Sequence, residues 1–505
     1  MSAQAKKFGT SAVYVSAIAS LIGAIVFLRF GYAVGTVGLW GIFILIVMGY
    51  MVTIPTALAI SELATNKRVE GGGEYFIISR SFGLNIGGTL GIMLYLSQTI
   101  NIAFYIIAFA EAFSFFFDYI AANYNIVLPR QVISIPAMLL LSALVIFKGS
   151  KSGVKTLYLI VVLIITVFVL FFLGKPVPGS TMSANFTSNA KLMNSDNLFV
   201  VFSIIFPAFT GMTAGVGLSG DLKNPSKSIP KGTIAATITS FILYFFIAYK
   251  LAISAPNDQL VANQFIMSDI ALFGSVAIPL FLIGSTFSAA LVSIMVGPRT
   301  LQAIALDNSI PLKSANKWLS KTREKDNEPV NSTIVTCAIA LIFISIGGIN
   351  MIAKIITLFF LVTYGSLCLI SFLNHFGSSP SYRPTFKSKW YISLTGFVAA
   401  GWVMLRISVT YTLIAIVVMV LLYMYMVYYH IRRGDKRKDF STLFANALFQ
   451  FNRNLQIYIQ NKRDDTNSKE EWRPSAICIS KNTFERNNAL KVIEWVSYKY
   501  GFGTY

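Results

Sequence analysis

Residues 206–215 read Phe206-Pro207-Ala208-Phe209-Thr210-Gly211-Met212-Thr213-Ala214-Gly215, in the middle of an apolar run that extends over residues 197–219. A proline inside a helix removes one backbone hydrogen bond and clashes with the preceding turn. Backbone groups freed in this way are tolerated within a membrane only where they line a cavity or find a protein partner. The ten residues therefore predict a broken membrane-spanning helix.

A second interruption lies in the first apolar run, where Ser20-Leu21-Ile22-Gly23 places a small polar residue and a glycine at mid-span. The alternative is an ordinary kink, with small residues that let helices pack closely. The two interruptions fall in the first and sixth apolar runs. This spacing is expected if spans 1 to 5 and 6 to 10 form an inverted repeat of the leucine-transporter type, with a substrate site near the middle of the membrane.

The remaining apolar runs indicate a polytopic membrane protein. Hydrophobic residues make up 55% of the 505 residues and the mean hydropathy is +0.66, whereas soluble proteins average roughly 45 to 50% on a wider apolar count. A span needs roughly 20 apolar residues. We predict an all-α protein with twelve transmembrane helices at residues 11–37, 39–64, 84–117, 128–147, 153–174, 197–219, 232–254, 271–298, 332–349, 351–376, 390–407 and 409–430.

The net charge of +20 would suggest nucleic-acid binding in a soluble protein. Here, however, the basic residues collect in alternate loops and in the C-terminal tail, and the outer loops clearly hold only Arg130, Lys175 and Lys191. This is the positive-inside pattern. We therefore predict a multi-pass protein of the plasma membrane, embedded in the lipid bilayer, with cytoplasmic N- and C-termini and no nucleic-acid partner.

The C-terminal tail predicts the beginning of a second domain. A basic run at residues 432–438 flanks the last span, and an amphipathic stretch follows at 443–459. Residues 476–479 then predict a strand and 488–500 a helix. One strand and one helix cannot bury their own faces. We expect a transmembrane domain at 1–430, a cytoplasmic linker at 431–470, and the start of a cytoplasmic α/β domain at 471–505.

Residues that carry catalytic chemistry are too sparse for an enzyme. His375 and His430 are the only histidines, and no Cys, Asp or Glu cluster in the sequence has the pattern of a catalytic or transition-metal site. The three cysteines lie in two predicted spans and in the tail, so they imply no disulfide framework. We predict a transporter without cofactors that is driven by ion gradients.

Several motifs occur in order along the chain. They are residues 71–83 (Gly-Gly-Gly-Glu-Tyr-Phe-Ile-Ile-Ser-Arg-Ser-Phe-Gly), 206–225, 229–233, 297–305 and 383–387. Their order and spacing resemble the cation-chloride cotransporters, a branch of the amino acid, polyamine and organocation superfamily, from Lys7 to about Tyr429. The resemblance implies an electroneutral symporter of potassium and chloride that works by alternating access, and a homodimer.

The resemblance also implies a potassium site. In that family, potassium is held by main-chain carbonyls of the first break, a tyrosine of span 3, and a proline carbonyl and a threonine hydroxyl of span 6. The matching positions in this sequence are Ser20, Leu21, Tyr105, Pro207 and Thr210. Neutral oxygens suit a large, weakly hydrated cation. Considered alone, Tyr105 would be interpreted as a packed aromatic residue.

Two chloride sites are implied in the same way, because half-helix N-termini offer free N–H groups to anions. They map onto the N–H groups of Gly23, Ala24 and Ile25, and onto Gly211, Met212 and Thr213 with the hydroxyl of Tyr364.

The resemblance further implies that Arg29 and Glu111 pair to close the outer vestibule, although each side chain could instead reach the membrane interface separately. For the other charged residues within spans, Glu62, Lys155 and Lys250, we expect interfacial positions and no transport role.

Sodium coupling stays open at this point. Sodium-coupled members of the family resemble one another in a Ser-Ser pair of span 8, whereas potassium-chloride members have small residues there. This chain has Ser288-Ala289, which favours sodium independence. The other candidate sodium ligands are the main-chain carbonyls of Ala19, Ile22 and Ser285, which side-chain identity does not test.

Two other functions are compatible with parts of the sequence. The first is an amino acid permease of the same fold, because Glu62-Leu63 ahead of a Gly-Gly-Glu-Tyr turn also resembles such permeases. Span 1, however, lacks the Gly-Ser-Gly or Gly-x-Gly turn that usually receives the substrate carboxylate. The second is a non-transporting ion sensor that signals through its tail, which the short tail and the intact polar atoms of the ion sites disfavour.

Overall fold

The computed structural model describes residues 8–66, 72–148, 153–180, 195–323, 328–377, 382–431, 441–463, 475–477, 487–497 and 502–504. These parts of the chain are almost entirely helical. The helices are α1 (Thr10–Leu21), α2 (Ala24–Asn66), α3 (Glu74–Phe82), α4 (Leu84–Glu111), α5 (Ser114–Tyr124), α6 (Gln131–Lys148), α7 (Gly153–Leu173), α8 (Ser195–Ile205), α9 (Pro225–Ser254), α10 (Asn257–Ala262), α11 (Ile266–Ile270), α12 (Gly274–Leu306), α13 (Lys313–Leu319), α14 (Val330–Ile346), α15 (Ile349–Gly377), α16 (Trp390–Ile407), α17 (Val409–Ile431), α18 (Ser441–Arg463) and α19 (Asn487–Ser497). Two 3-10 segments, Phe206–Phe209 and Gly211–Asp221, follow α8.

Eight helical stretches among the described residues are long and apolar enough to cross a membrane. They are Ala24–Asn66, Leu84–Glu111, Leu198–Gly217, Pro225–Ser254, Gly274–Leu306, Ile349–Gly377, Trp390–Ile407 and Val409–Ile431. Shorter apolar helices lie at Thr10–Leu21, Gln131–Phe147, Tyr158–Leu173 and Val330–Ile346. The all-helical membrane class is therefore confirmed, whereas the count of twelve spans stays a prediction.

Helix α2 has 43 residues and would be about 65 Å long as a straight rod, roughly twice the 30 Å thickness of a bilayer core. It is interrupted at Gly38, whose φ of 73° and ψ of 176° are not helical. A side chain would be strained at this positive φ, so glycine is the residue that permits the bend. The bend falls where the sequence predicts the boundary between spans 1 and 2.

One predicted span is longer than the helix that forms there. Span 3 was expected to reach residue 117, but α4 ends at Glu111 and a turn at Ala112 and Phe113 leads into the separate helix α5. The polar network that surrounds Glu111, described below, lies at this helix end.

Apolar surface lies on the outside of the helical body as well as in its core. Helix α17, for example, leaves Val409, Leu413, Val417, Leu421 and Met424 exposed. Contiguous apolar surface of this extent marks contact with lipid or with another protein. Inside, α2 packs against α9, α4 against α12, and α15 against α16. Leu21 and Phe206, in the two interrupted segments, are fully buried.

The chain divides into two compact units, Met1–Leu448 and Phe449–Tyr505. In the second unit, β1 (Ser475–Ile477) pairs in parallel with β2 (Phe502–Thr504), and α19 packs against both strands. The strand β2 is absent from the sequence-based expectation of one strand and one helix. The predicted basic run at 432–438 lies outside the described residues.

Candidate functional site

The two predicted breaks lie in direct contact. Helix α1 ends at Leu21, Ile22 has non-helical φ and ψ of −89° and 66°, and α2 begins at Ala24. Helix α8 ends before Pro207, and the 3-10 segments continue from there. A Cβ at Gly211 would lie 2.5 Å from the Leu21 amide nitrogen. Only a residue without a side chain fits at this crossing, so Gly211 lets the two interrupted backbones meet.

The side chain of Tyr244, on α9, joins the two breaks. Its Oη lies 2.6 Å from the carbonyl oxygen of Leu21 and 2.9 Å from that of Ala208, so its single proton is shared between the two carbonyls in a bifurcated hydrogen bond. The residue is fully buried and its ring packs edge-on against Phe209. Interrupted helices leave carbonyls without intrahelical partners, and the shared proton of Tyr244 is directed at one carbonyl of each break. Its only sequence signal is a hydroxyl within an apolar run, which is weak.

The predicted potassium residues form two groups beside this crossing. Ser20 Oγ and Tyr105 Oη lie 3.4 Å apart, and Thr210 Oγ1 donates to the Pro207 carbonyl at 2.8 Å. The contact of Gly211 with the end of α1 brings the two groups to the same region. All five residues, Leu21 included, would contribute uncharged oxygens.

The first predicted chloride site, Gly23, Ala24 and Ile25, is the start of α2, where the first N–H groups of a helix have no intrahelical acceptor. These N–H groups are available to an anion. A Cβ at Gly23 would lie 3.7 Å from Cε1 of Tyr105. The first predicted chloride site and the predicted potassium residues are therefore neighbours.

The second predicted chloride site lies at Gly211, Met212 and Thr213, where a 3-10 segment begins. Tyr364, fully buried on α15, donates its hydroxyl to the Thr210 carbonyl. The Thr213 hydroxyl is within hydrogen-bonding reach of Tyr364. Because the Tyr364 proton is engaged by a carbonyl, the hydroxyl must turn to donate to an anion.

The candidate sodium residues lie on α1 and α12, which pack against each other. Ser285 Oγ donates within its own helix to Leu282 O at 3.3 Å. The buried Ser288 Oγ has no hydrogen-bond partner in the described part of the chain, and Ala289 beside it has no polar side-chain atom. The remaining candidates, Ala19 and Ile22, lie at the end of α1.

Arg29 and Glu111 are both buried and form an ion pair, with Arg29 Nη2 3.2 Å from Glu111 Oε2. Arg130 Nη1 lies 2.5 Å from the other carboxylate oxygen. Arg29 also donates to Asn350 Oδ1 at 2.7 Å and to Gln264 Oε1 at 3.3 Å. The sequence did not indicate Arg130 as a partner of Glu111, or Asn350 and Gln264 as partners of Arg29, because these residues lie far apart in the chain.

Glu62, for which we expect an interfacial position, is surrounded by protein. Its side chain is fully buried, and its carboxylate lies 2.6 Å from both His375 Nε2 and Ser388 Oγ. Lys250 Nζ donates to the Gly174 carbonyl at 2.8 Å. The Lys155 side chain lies outside the described residues. Burial of a carboxylate is tolerated here because several donors converge on it.

Comparisons with known proteins complete this description. The family model described as amino acid permease matches residues 12–465. Solute carrier family 12 member 9 of Danio rerio is 31% identical over 447 residues, which cover 79% of this chain and 48% of the relative. Solute carrier family 12 member 1 of Homo sapiens is 29% identical, covering 80% of this chain and 41% of the relative. Cation-chloride cotransporter 1 of Oryza sativa subsp. japonica is 28% identical, covering 88% of this chain and 49% of the relative. The chain thus spans about half the length, or less, of these relatives.

Proposed function

Since the chain belongs to the amino acid permease family and is related over most of its length to cation-chloride cotransporters, we propose that it is a secondary active symporter that moves potassium together with chloride. The observation that carries the proposal is the contact between two interrupted helices, made at Gly211 and Leu21. This contact gathers carbonyl and hydroxyl oxygens next to free helix N-termini. Such a region can hold a cation and an anion close together.

The oxygens at the crossing suit potassium. Ser20, Tyr105, Pro207 and Thr210 lie in two hydrogen-bonded pairs, and all of them are uncharged. A weakly hydrated monovalent cation can exchange its water for such oxygens, whereas a divalent cation favours carboxylates. When potassium binds, the Tyr105 and Thr210 hydroxyls would turn from Ser20 Oγ and the Pro207 carbonyl towards the ion, beside the main-chain carbonyls of Ser20, Leu21 and Pro207.

Chloride would neutralise the charge of the bound cation. Its proposed ligands are the N–H groups at the start of α2 and at Gly211 to Thr213, together with the Tyr364 hydroxyl. A bound cation and a bound anion in a low-dielectric interior stabilise each other. This mutual stabilisation is the physical basis for coupling their movement.

Alternating access completes the proposed mechanism. Buried Arg29 and Glu111, together with the exposed Arg130, form a charged network at one end of α4, and we assign it to closure of the outer vestibule. The proposal includes twelve spans with an inverted repeat, plasma-membrane location, cytoplasmic termini and a homodimer. Sodium is left out of the coupled set because only Ser288 of the serine pair is present.

The second candidate is an amino acid permease. It is favoured by the family model and by the free N–H groups at Gly23, which could receive a substrate carboxylate. The two candidates differ in whether chloride is required.

The deciding experiment is rubidium uptake into proteoliposomes, with chloride or gluconate as the anion, with and without sodium, and with amino acids in competition. We expect rubidium uptake that requires chloride, proceeds without sodium and is not inhibited by amino acids. Amino acid uptake that is indifferent to chloride would establish the permease and refute the symporter. Rubidium uptake that needs both chloride and sodium would place sodium in the coupled set.

A further inference from the structure

Glu74 is a buried carboxyl group that the proposed mechanism does not use. It begins α3, directly after three glycines, and the residue is only 5% exposed. Its Oε2 has no hydrogen-bond partner among the residues that the structure describes. A buried carboxylate without a compensating cation is costly, so this position requires a physical explanation.

The start of α3 packs against the segment that follows the second break. A Cβ at Gly73 would lie 3.3 Å from both the Gly217 Cα and the Val216 carbonyl oxygen. The Thr213 hydroxyl is within hydrogen-bonding reach of the Glu74 carboxyl. Glu74 is therefore seated beside the 3-10 segment that contributes the second proposed chloride site.

Thr213 connects Glu74 to that site. The same hydroxyl is within reach of Tyr364, whose own hydroxyl donates to the Thr210 carbonyl. One threonine thus separates the carboxyl from the tyrosine proposed to donate to chloride. A negative charge at Glu74 would act on any anion bound there, because the interior screens charges weakly.

The groups that face the Glu74 carboxyl, in the described part of the chain, are the Thr213 hydroxyl and the Tyr364 phenol. The nearest basic residue on α3, Arg80, instead pairs with Asp307 at 3.0 Å. On α12, Arg299 lies 3.7 Å from Glu328. On α2, the buried carboxylate of Glu62 has its own donors. Burial raises the pKa of the Glu74 carboxyl to about 7, so it exchanges a proton near neutral pH.

We propose that Glu74 is a proton-binding site linked to the anion site at Gly211–Thr213 and Tyr364, so that chloride binds there when the Glu74 carboxyl carries a proton. The inference rests on the proposed function and adds a proton as a third ligand. The neutral carboxyl exerts no net repulsion on chloride and can donate a hydrogen bond through Thr213. The carboxylate repels chloride. Linkage is reciprocal, so chloride binding must in turn favour proton uptake.

The test is chloride-dependent thermal stabilisation of the purified protein in detergent, with potassium present and gluconate replacing chloride at constant ionic strength, between pH 6 and 8. If chloride binds only when a carboxyl with a pKa near 7 is protonated, the apparent chloride Kd should be about tenfold higher at pH 8 than at pH 6. In Glu74→Gln we expect a Kd that stays at the pH 6 value throughout. Asp118→Asn, which removes an exposed carboxylate, should keep the wild-type pH dependence.

Proton uptake provides a second measurement that needs no variant. Chloride added to weakly buffered wild-type protein at pH 7 should raise the pH of the solution, and gluconate should not. Chloride stabilisation that is the same at every pH, or a pH dependence that survives in Glu74→Gln, would overturn the inference and leave the symporter proposal intact. Absence of any chloride effect at every pH would overturn the proposed function itself, and the inference with it.

Discussion

Replacing Glu74 by glutamine should stabilise the protein at alkaline pH and change little at acidic pH. Burial raises the pKa of this carboxyl from 4.5 to about 7. A group whose pKa is raised on folding contributes stability that is complete below the unfolded pKa and is lost as the pH rises through the folded pKa. Each unit of pKa is worth about 1.4 kcal/mol, so ionising buried Glu74 costs the wild type up to about 3 kcal/mol.

The glutamine side chain has nearly the same shape as glutamate but does not ionise, so the variant does not incur this cost. Its stability advantage should therefore grow from below about 1 kcal/mol at pH 5 to about 3 kcal/mol at pH 8. The measurement is the thermal unfolding midpoint in detergent and gluconate buffer, at one scan rate because membrane proteins often unfold irreversibly. Asp118→Asn is the matched control. Midpoints of Glu74→Gln and wild type that stay parallel from pH 5 to pH 8 would refute the reasoning.

Four further substitutions test the crossing of the two breaks. Tyr105→Phe should raise the half-saturating concentration of rubidium about fivefold, and Tyr364→Phe should raise that of chloride by a similar factor. Each variant loses one hydroxyl worth about 1 kcal/mol. Uptake titrations in which either variant affects both ions equally would contradict the site assignment. Tyr244→Phe should lower the free energy of unfolding by about 1–3 kcal/mol, since two buried carbonyls lose their donor; an unchanged denaturation midpoint would argue against the bridge. Gly211→Ala should abolish rubidium uptake by forcing the breaks apart, while Gly284→Ala, where a Cβ meets nothing within 4 Å, should not.

The family was predictable from the sequence, and the comparisons confirm it. The order and spacing of the motifs from residue 71 to residue 387 resemble the cation-chloride cotransporters, and relatives of that group match most of the chain. The positions of both breaks were also predicted, at Ser20–Gly23 and Phe206–Gly215. Proline, glycine and small polar residues in an apolar run change local backbone energies, and such effects can be recognised within about ten residues.

The surroundings of individual charged residues were harder to predict. The sequence indicates no partner for Glu62, yet its side chain is fully buried beside His375. Glu74 stood within a recognised motif, yet nothing in that motif indicates that the carboxyl is buried. The burial of either side chain depends on which helices pack around it, and those helices lie far away in sequence.

The amino-acid sequence by itself determined the helical membrane class and the two places where helices are interrupted, because hydropathy and backbone preference are local properties. Only the tertiary structure decided which interrupted segments touch, that the Tyr244 hydroxyl lies within hydrogen-bonding distance of a carbonyl in each, and that Arg29 and Arg130 both pair with Glu111. These contacts join residues far apart in the chain. They exist because helix packing removes particular polar atoms from solvent and leaves them to one another as partners.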